Sequence, residues 1–124
     1  MDSTIQPQAV NLAAKLALID KRWSPKTVAT VNDYDVRLAV VEGEFTRHQH
    51  PDTDEFFLLI AGELTIKMDT GDVTLRPGEV YVVPAGVPHQ PVAAPGTQIM
   101  LIEPSDVVNT GDAGGALTAV REEI

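Results

Sequence analysis

Two of the three histidines, His48 and His50, stand one residue apart in Arg47-His48-Gln49-His50, and Glu55 follows at the head of the apolar run Phe56–Ala61. The third, His89, lies far along the chain, after Pro84-Ala85-Gly86-Val87-Pro88. Groups that can share or lose a proton are costly beside Phe and Leu unless something satisfies them. On a strand, residues i and i+2 share a face, so His48 and His50 can aim two imidazoles at one point. Pro51-Asp52-Thr53-Asp54 turns the chain, and Glu55 begins the next strand, facing the first across a hairpin. His89 reads as the end of another strand. Three imidazole nitrogens and one carboxylate oxygen make a site for one divalent ion: Fe, Mn, Ni or Zn. The carboxylate pulls towards Mn and Fe(II). Four protein ligands leave two octahedral positions for water, substrate or oxygen. Two plainer readings compete. The histidines can be a polar pair on an edge strand, with Glu55 solvated in an acidic turn. Alternatively Asp54 can replace Glu55 as the carboxylate ligand.

The segments that carry these groups are short. Val10, Ala13, Leu16 and Ala17 recur at helical steps, which predicts one N-terminal helix within residues 8–19. Ser24-Pro25 ends it, since proline pushes the preceding residue out of the helical region. Strands follow at Lys26–Val31, Tyr34–Phe45, Glu55–Ala61, Glu63–Met68, Val73–Leu75, Val80–Val83 and Gln98–Glu103. Asp69-Thr70-Gly71-Asp72 joins residues 63–75 into a hairpin. Nine glycines and nine prolines punctuate the chain, and short strands so punctuated suggest a sandwich or barrel. The expected organisation is a helical lead-in over 1–25, one β-barrel domain over 26–104 and a tail or lid over 105–124. That tail is rich in Gly and Asp and reads as weakly ordered, with a short final helix. Alternation from Glu55 sends Phe57 and Leu59 inward as candidate pocket walls, joined by Tyr81. Phe45, Phe56, Leu58, Ile60, Val80 and Val82 read as core or interface. Trp23 reads as a core anchor. Arg47 points to the face opposite the histidines.

Bulk properties narrow the classes. The chain has 124 residues, 44% of them hydrophobic, which suits one domain with a real core. A net charge of −9 disfavours nucleic acid and anionic membrane surfaces as partners, and it mainly keeps the chain soluble. No cysteine is present, so disulfides, thiolate metal sites and a Cys nucleophile are excluded. The start Met1-Asp2-Ser3-Thr4 lacks a secretory pattern, and no apolar run approaches a membrane span. A cytoplasmic location is expected. No nucleophile elbow, phosphate loop or dinucleotide fingerprint occurs.

These residues resemble a known pattern. Gly43 through His48-Gln49-His50, then Glu55, then Gly62, is similar to the first cupin motif. Gly78-Glu79-Val80-Tyr81-Val82-Val83-Pro84-Ala85-Gly86-Val87-Pro88-His89 resembles the second. Fifteen residues separate the motifs, as in the smallest single-domain cupins. Four residues between Gly43 and His48 stand where five are usual, and Ala93 stands where asparagine is common. The resemblance implies an all-β cupin-type jelly-roll barrel (a double-stranded β-helix), preceded by the short helix. It implies a metal held by His48, His50, Glu55 and His89 in the barrel mouth. The activity implied is that of a metalloenzyme of dioxygenase or isomerase type on a small organic ligand, or else a non-catalytic sensor or binding protein. Asn11 through Trp23-Ser24-Pro25, with the ending Ile102-Glu103-Pro104, is similar to a functionally uncharacterised group of small bacterial cupins. A homodimer is expected too, with Lys26–Val31 offered as an unpaired β segment.

Overall fold

A computed structural model describes residues 7–124; the first six residues of the predicted lead-in lie outside them. Helix α1 (Leu12–Leu16) is followed by strands β1 (Lys26–Val31), β2 (Tyr34–Glu44), β3 (Glu55–Ala61), β4 (Leu64–Lys67), β5 (Val73–Leu75), β6 (Val80–Val83) and β7 (Gln90–Pro104). The strand order is β1-β2-β7-β3-β6, and β4 pairs with both β5 and β7. All pairings between these strands are antiparallel. Along one side of β7 runs β2. Along the other, β3 takes the C-terminal half and β4 the N-terminal half. One strand therefore serves two sheets, and the sheets close into a jelly-roll barrel.

The helix is shorter than its apolar spacing predicts. Asn11 accepts from the Ala14 N–H at 2.9 Å, which starts the helix at Leu12. Leu18 and Ile19 then donate three residues back, to Lys15 and Leu16, and this tighter turn ends it. Val10 is exposed, whereas Leu16 and Ile19 pack on Leu38 outside the barrel.

Strand β7 is longer than predicted. Pro95-Gly96 reads as a break in sequence, but it falls where β7 changes partner from β4 to β3. No ladder hydrogen bond is needed from Pro95 at that corner. Thr97 secures it: its hydroxyl lies 2.6 Å from the Ala94 carbonyl and 3.1 Å from the Glu63 carbonyl. Strand β1 is not unpaired, since it pairs with β2 and Thr27 also bridges to Glu123.

Alternation holds on β3: Glu55, Phe57 and Leu59 are buried, while Phe56, Leu58 and Ile60 are half-buried. Phe45, Phe57, Leu59, Leu64 and Ile66 form the barrel core with Trp23. Val80 and Val82 are exposed at the β6 edge, outside that core. No helix forms over residues 105–124. The segment instead returns across the barrel in turns, with Asn109 and Thr110 buried. Among the described residues, no helix is long and apolar enough to cross a membrane.

Candidate metal centre

Glu55 opens β3 opposite Val83 and faces inward by strand alternation. His48 and His50 do not lie on a regular strand facing β3 across a hairpin. His48 instead forms an isolated antiparallel bridge with His89, through paired backbone hydrogen bonds of 3.0 and 2.9 Å. His89 thus precedes β7 and does not end β6. The Gly86 N–H donates to the His50 carbonyl at 2.9 Å. The turn Pro84–Pro88 therefore seats both histidine segments.

The four side chains converge. His89 Nε2 is 3.0 Å from Glu55 Oε1, His50 Nε2 3.3 Å and His48 Nε2 4.0 Å. One ligand atom from each residue lies within 4.8 Å of all the others. All four residues are at most 5% exposed. An octahedral ion held by bonds of about 2.1 Å would need adjacent ligand atoms about 3.0 Å apart and opposite ones about 4.2 Å apart. The observed spacings sit near those values.

Protons make the case for a cation. His48 Nδ1 lies 3.0 Å from the Thr46 carbonyl, and His89 Nδ1 lies 2.9 Å from the Val87 carbonyl. A carbonyl accepts only, so both Nδ1 atoms donate, and a neutral ring then turns an Nε2 lone pair inward. Lone pairs from these rings meet a carboxylate oxygen. His48 Nε2 and His50 Nε2 are buried without a hydrogen-bond partner. Burial pushes His48 down to about 4, although the Thr46 carbonyl and Glu55 oppose the shift. Burial alone would raise Glu55, but His50 and His89 outweigh it and hold its carboxyl below the usual range. A neutral His48 beside an ionised Glu55 is the protonation state that metal binding needs. The residues present can hold one divalent ion.

Asp54 is not part of this cluster. It is exposed, and its Oδ1 accepts from the Ala85 N–H at 2.9 Å. Arg47 points outward and pairs with Asp69 at 2.8 Å. Beside His48 and Glu55 lies an apolar cavity walled by Trp23, Phe45 and Phe57, with a free core of about 30 Å³. Phe57 is a wall, whereas Leu59 and Tyr81 stand outside the lining. Gln90 is structural and donates to the Phe45 carbonyl at 3.0 Å.

Several residues around the site have no part in it by sequence alone, although Trp23 reads there as the core anchor it is. Trp23, with φ of 58°, stacks on Phe45 at 4.7 Å and lines the cavity. Its carbonyl accepts from Asn109, far along the chain. Arg37 is buried between Asp35 at 3.1 Å and Glu103 at 2.8 Å, and Arg121 reaches Asp35 at 2.7 Å. Burial and the neighbouring Glu55 push the Glu103 carboxyl up, against the pull of Arg37. The signal for Asp35 and Arg37 was present: they share the alternating face of Ala39 and Val41, so charged groups were headed inward. Asn109 and Arg121 carry no such signal, because the tail lacks periodicity.

A family model described as "Cupin domain" matches residues 34–103. A protein of Bacillus subtilis (strain 168), the uncharacterized protein YdbB, is 36% identical over 81 residues, or 64% of this chain and 72% of that protein. A solved cupin-2 domain containing protein from Shewanella frigidimarina shares 45% identity with a TM-score of 0.75, over 77% of this chain and 93% of that one. Hydroquinone 1,2-dioxygenase from Sphingomonas sp. TTNP3, solved with 4-hydroxybenzoate bound, shares 25% identity with a TM-score of 0.69. That match covers 78% of this chain but 32% of the enzyme chain.

Proposed function

The chain belongs to the cupin domain family, and from that membership we propose that it binds one divalent metal and acts as a metalloenzyme on a small organic molecule. The carrying observation is the meeting of three Nε2 atoms at Glu55 Oε1, two of them buried without a partner. His48, His50, Glu55 and His89 hold the ion. Fe, Mn, Ni and Zn all suit three imidazoles and a carboxylate. A bound ion supplies Lewis acidity, or oxygen chemistry when it is iron.

The chain's own residues do the rest. The carbonyls of Thr46 and Val87 orient two of the rings. Trp23, Phe45 and Phe57 exclude water from the open side. Arg37 is neutralised by Asp35 and Glu103, and Asn109 spends its side chain on Trp23, Leu117 and Ala119. The apolar wall thus brings no uncommitted cation, so the substrate portion against it is uncharged. Dioxygenase type is favoured over isomerase type. The similarity to hydroquinone 1,2-dioxygenase supports that order, as does the use of all three histidines in the cluster. Proton shuttling for an isomerisation would need a further placed base.

A second reading is a non-catalytic metal or small-molecule binder. The narrow cavity core favours it. We further infer a homodimer, supported by exposed Val80 and Val82 on the β6 edge. Light scattering showing only the 13.3 kDa mass of one chain would reject that inference.

The primary test is metal analysis of untagged protein beside His50→Ala. Expected is one ion per wild-type chain and a strong loss in the variant; equal content in both defeats the ligand assignment. Oxygen uptake by Fe(II)-loaded protein, offered diketones, thiols and phenols, then separates enzyme from binder. No uptake with any of them favours the binder.

A further inference from the structure

Gly111 and Asp112, in the tail that follows β7, lie outside the matched family region and are not among the four clustered residues. They close on the one residue between the two histidines. The Asp112 N–H donates to the Gln49 carbonyl at 3.1 Å, and the Gln49 N–H donates to Asp112 Oδ1 at 3.0 Å. One residue thus takes both backbone groups of Gln49.

Around this contact the ligand segment is held on both sides. His48 spends its N–H and carbonyl on His89, Gln49 on Asp112, and the His50 carbonyl on Gly86. This segment has no regular strand neighbour to fix it. With only the His89 bridge and the Gly86 bond, Gln49 between the two histidines would be free to turn. The pair of bonds to Asp112 removes that freedom. Metal sites lose quality when ligands stray by about 0.5 Å, so this restraint bears on the ion.

The turn is built for close approach. Gly111 has φ of 54°, and a Cβ there would stand 2.2 Å from the Gln49 carbonyl oxygen and 3.1 Å from His48 Cδ2. The turn is also braced from behind. The Asn109 amide donates to the Trp23 and Leu117 carbonyls, and the Thr110 and Thr118 hydroxyls pair at 2.7 Å.

We propose that Gly111 and Asp112 are positioning residues that clamp Gln49, and through it hold His48 and His50 in register for the metal. The proposal rests on the ligand reading above. It gives the tail, which follows the matched cupin region, a part in the site.

The test uses the full chain with four variants and two readouts. The first readout is amide exchange at Gln49 in metal-free protein, followed by NMR. The second is the rate at which bound Co²⁺ is lost to EDTA. Asp112→Ala is expected to speed both by about 10-fold or more. Asp112→Asn keeps an accepting oxygen and stays within about two-fold of wild type on the same argument. Asp106→Ala removes the same charge from an exposed site in the same tail and leaves both rates unchanged. Gly111→Ala speeds both if it folds; if it does not, Asp112→Ala decides alone. Wild-type rates in Asp112→Ala overturn the clamp. Equal losses in Asp112→Ala and Asp112→Asn, or in Asp106→Ala, also overturn it, because charge would then be the cause. If wild-type protein binds no Co²⁺, the ligand reading falls, and the Gln49 amide still decides whether the clamp exists.

Discussion

Replacing Arg37 by methionine tests the buried charge network beside Glu55 of the four-residue cluster. Arg37 is 4% exposed. Its guanidinium donates to Asp35 at 3.1 and 3.3 Å, to Glu103 at 2.8 Å, and to the carbonyls of Ser105 and Val107 at 3.0 and 2.8 Å. Methionine fills similar space and removes every one of these bonds. Asp35 keeps Thr27, Ser105 and Arg121, so it stays partnered. Glu103 loses its arginine while Glu55 remains beside it, so its carboxyl, already pushed up by burial, is pushed up further and carries a proton. Removing one partner of a buried pair costs about 3–5 kcal/mol. The surviving partners of Asp35 and the proton on Glu103 place this case near about 3 kcal/mol. For a domain of this size that corresponds to a fall in Tm of about 10 °C. Thermal melts followed by circular dichroism measure it, with urea unfolding to check that the slope is unchanged. Glu103→Gln and the double variant complete a cycle, and coupling of about 1 kcal/mol or more is expected. A loss under about 1 kcal/mol in Arg37→Met, with no coupling in the cycle, would show that the network adds little to stability.

Acid should destabilise the metal-free protein through His48. Its ring sits at about 4 when folded against an ordinary 6.5. Between those values the unfolded chain takes up a proton that the folded chain refuses, so stability falls as pH falls through that window, by roughly 3 kcal/mol at most. Urea titrations from pH 7 to 4 on wild type and His48→Asn read this, and equal slopes in both would remove His48 as the cause. Below that window Glu55, held under its ordinary 4.5, adds a further loss of the same sign. Gly62→Ala should lose about 2–4 kcal/mol, since φ is 87° and a Cβ would stand 2.7 Å from Thr97 Cα. A melt within about 2 °C of wild type would show that the β7 corner yields easily. Divalent metal at a hundred times its Kd should stabilise wild type by about 2.7 kcal/mol and leave His50→Ala unmoved. Calorimetry with and without EDTA measures that difference.

Much was legible without coordinates, because local rules govern it. Alternation alone turned Glu55, Phe57 and Leu59 inward on β3. Gly62, with φ of 87°, marks a turn that few other residues tolerate, so its place in the motif has a backbone cause. The strand limits of β1, β3, β5 and β6 follow from runs bounded by turn residues. The residue types for a metal cluster were all visible as well. What pairing does was not visible. His48 and His50 meet His89 through one isolated bridge and not through a hairpin with β3, and only chain topology decides which strands become neighbours.

Spacing and side-chain chemistry are local properties, so the amino-acid order already carried the β-rich architecture and the residue types that could hold a metal. Folding alone brought one donor atom from each of four residues within 4.8 Å of the others. It also sealed Arg37 between two carboxylates and returned Asp112 from the far end of the chain to Gln49. Each of those depends on contacts between residues remote in sequence. Such contacts form only when the barrel closes, and no periodicity along the chain encodes them.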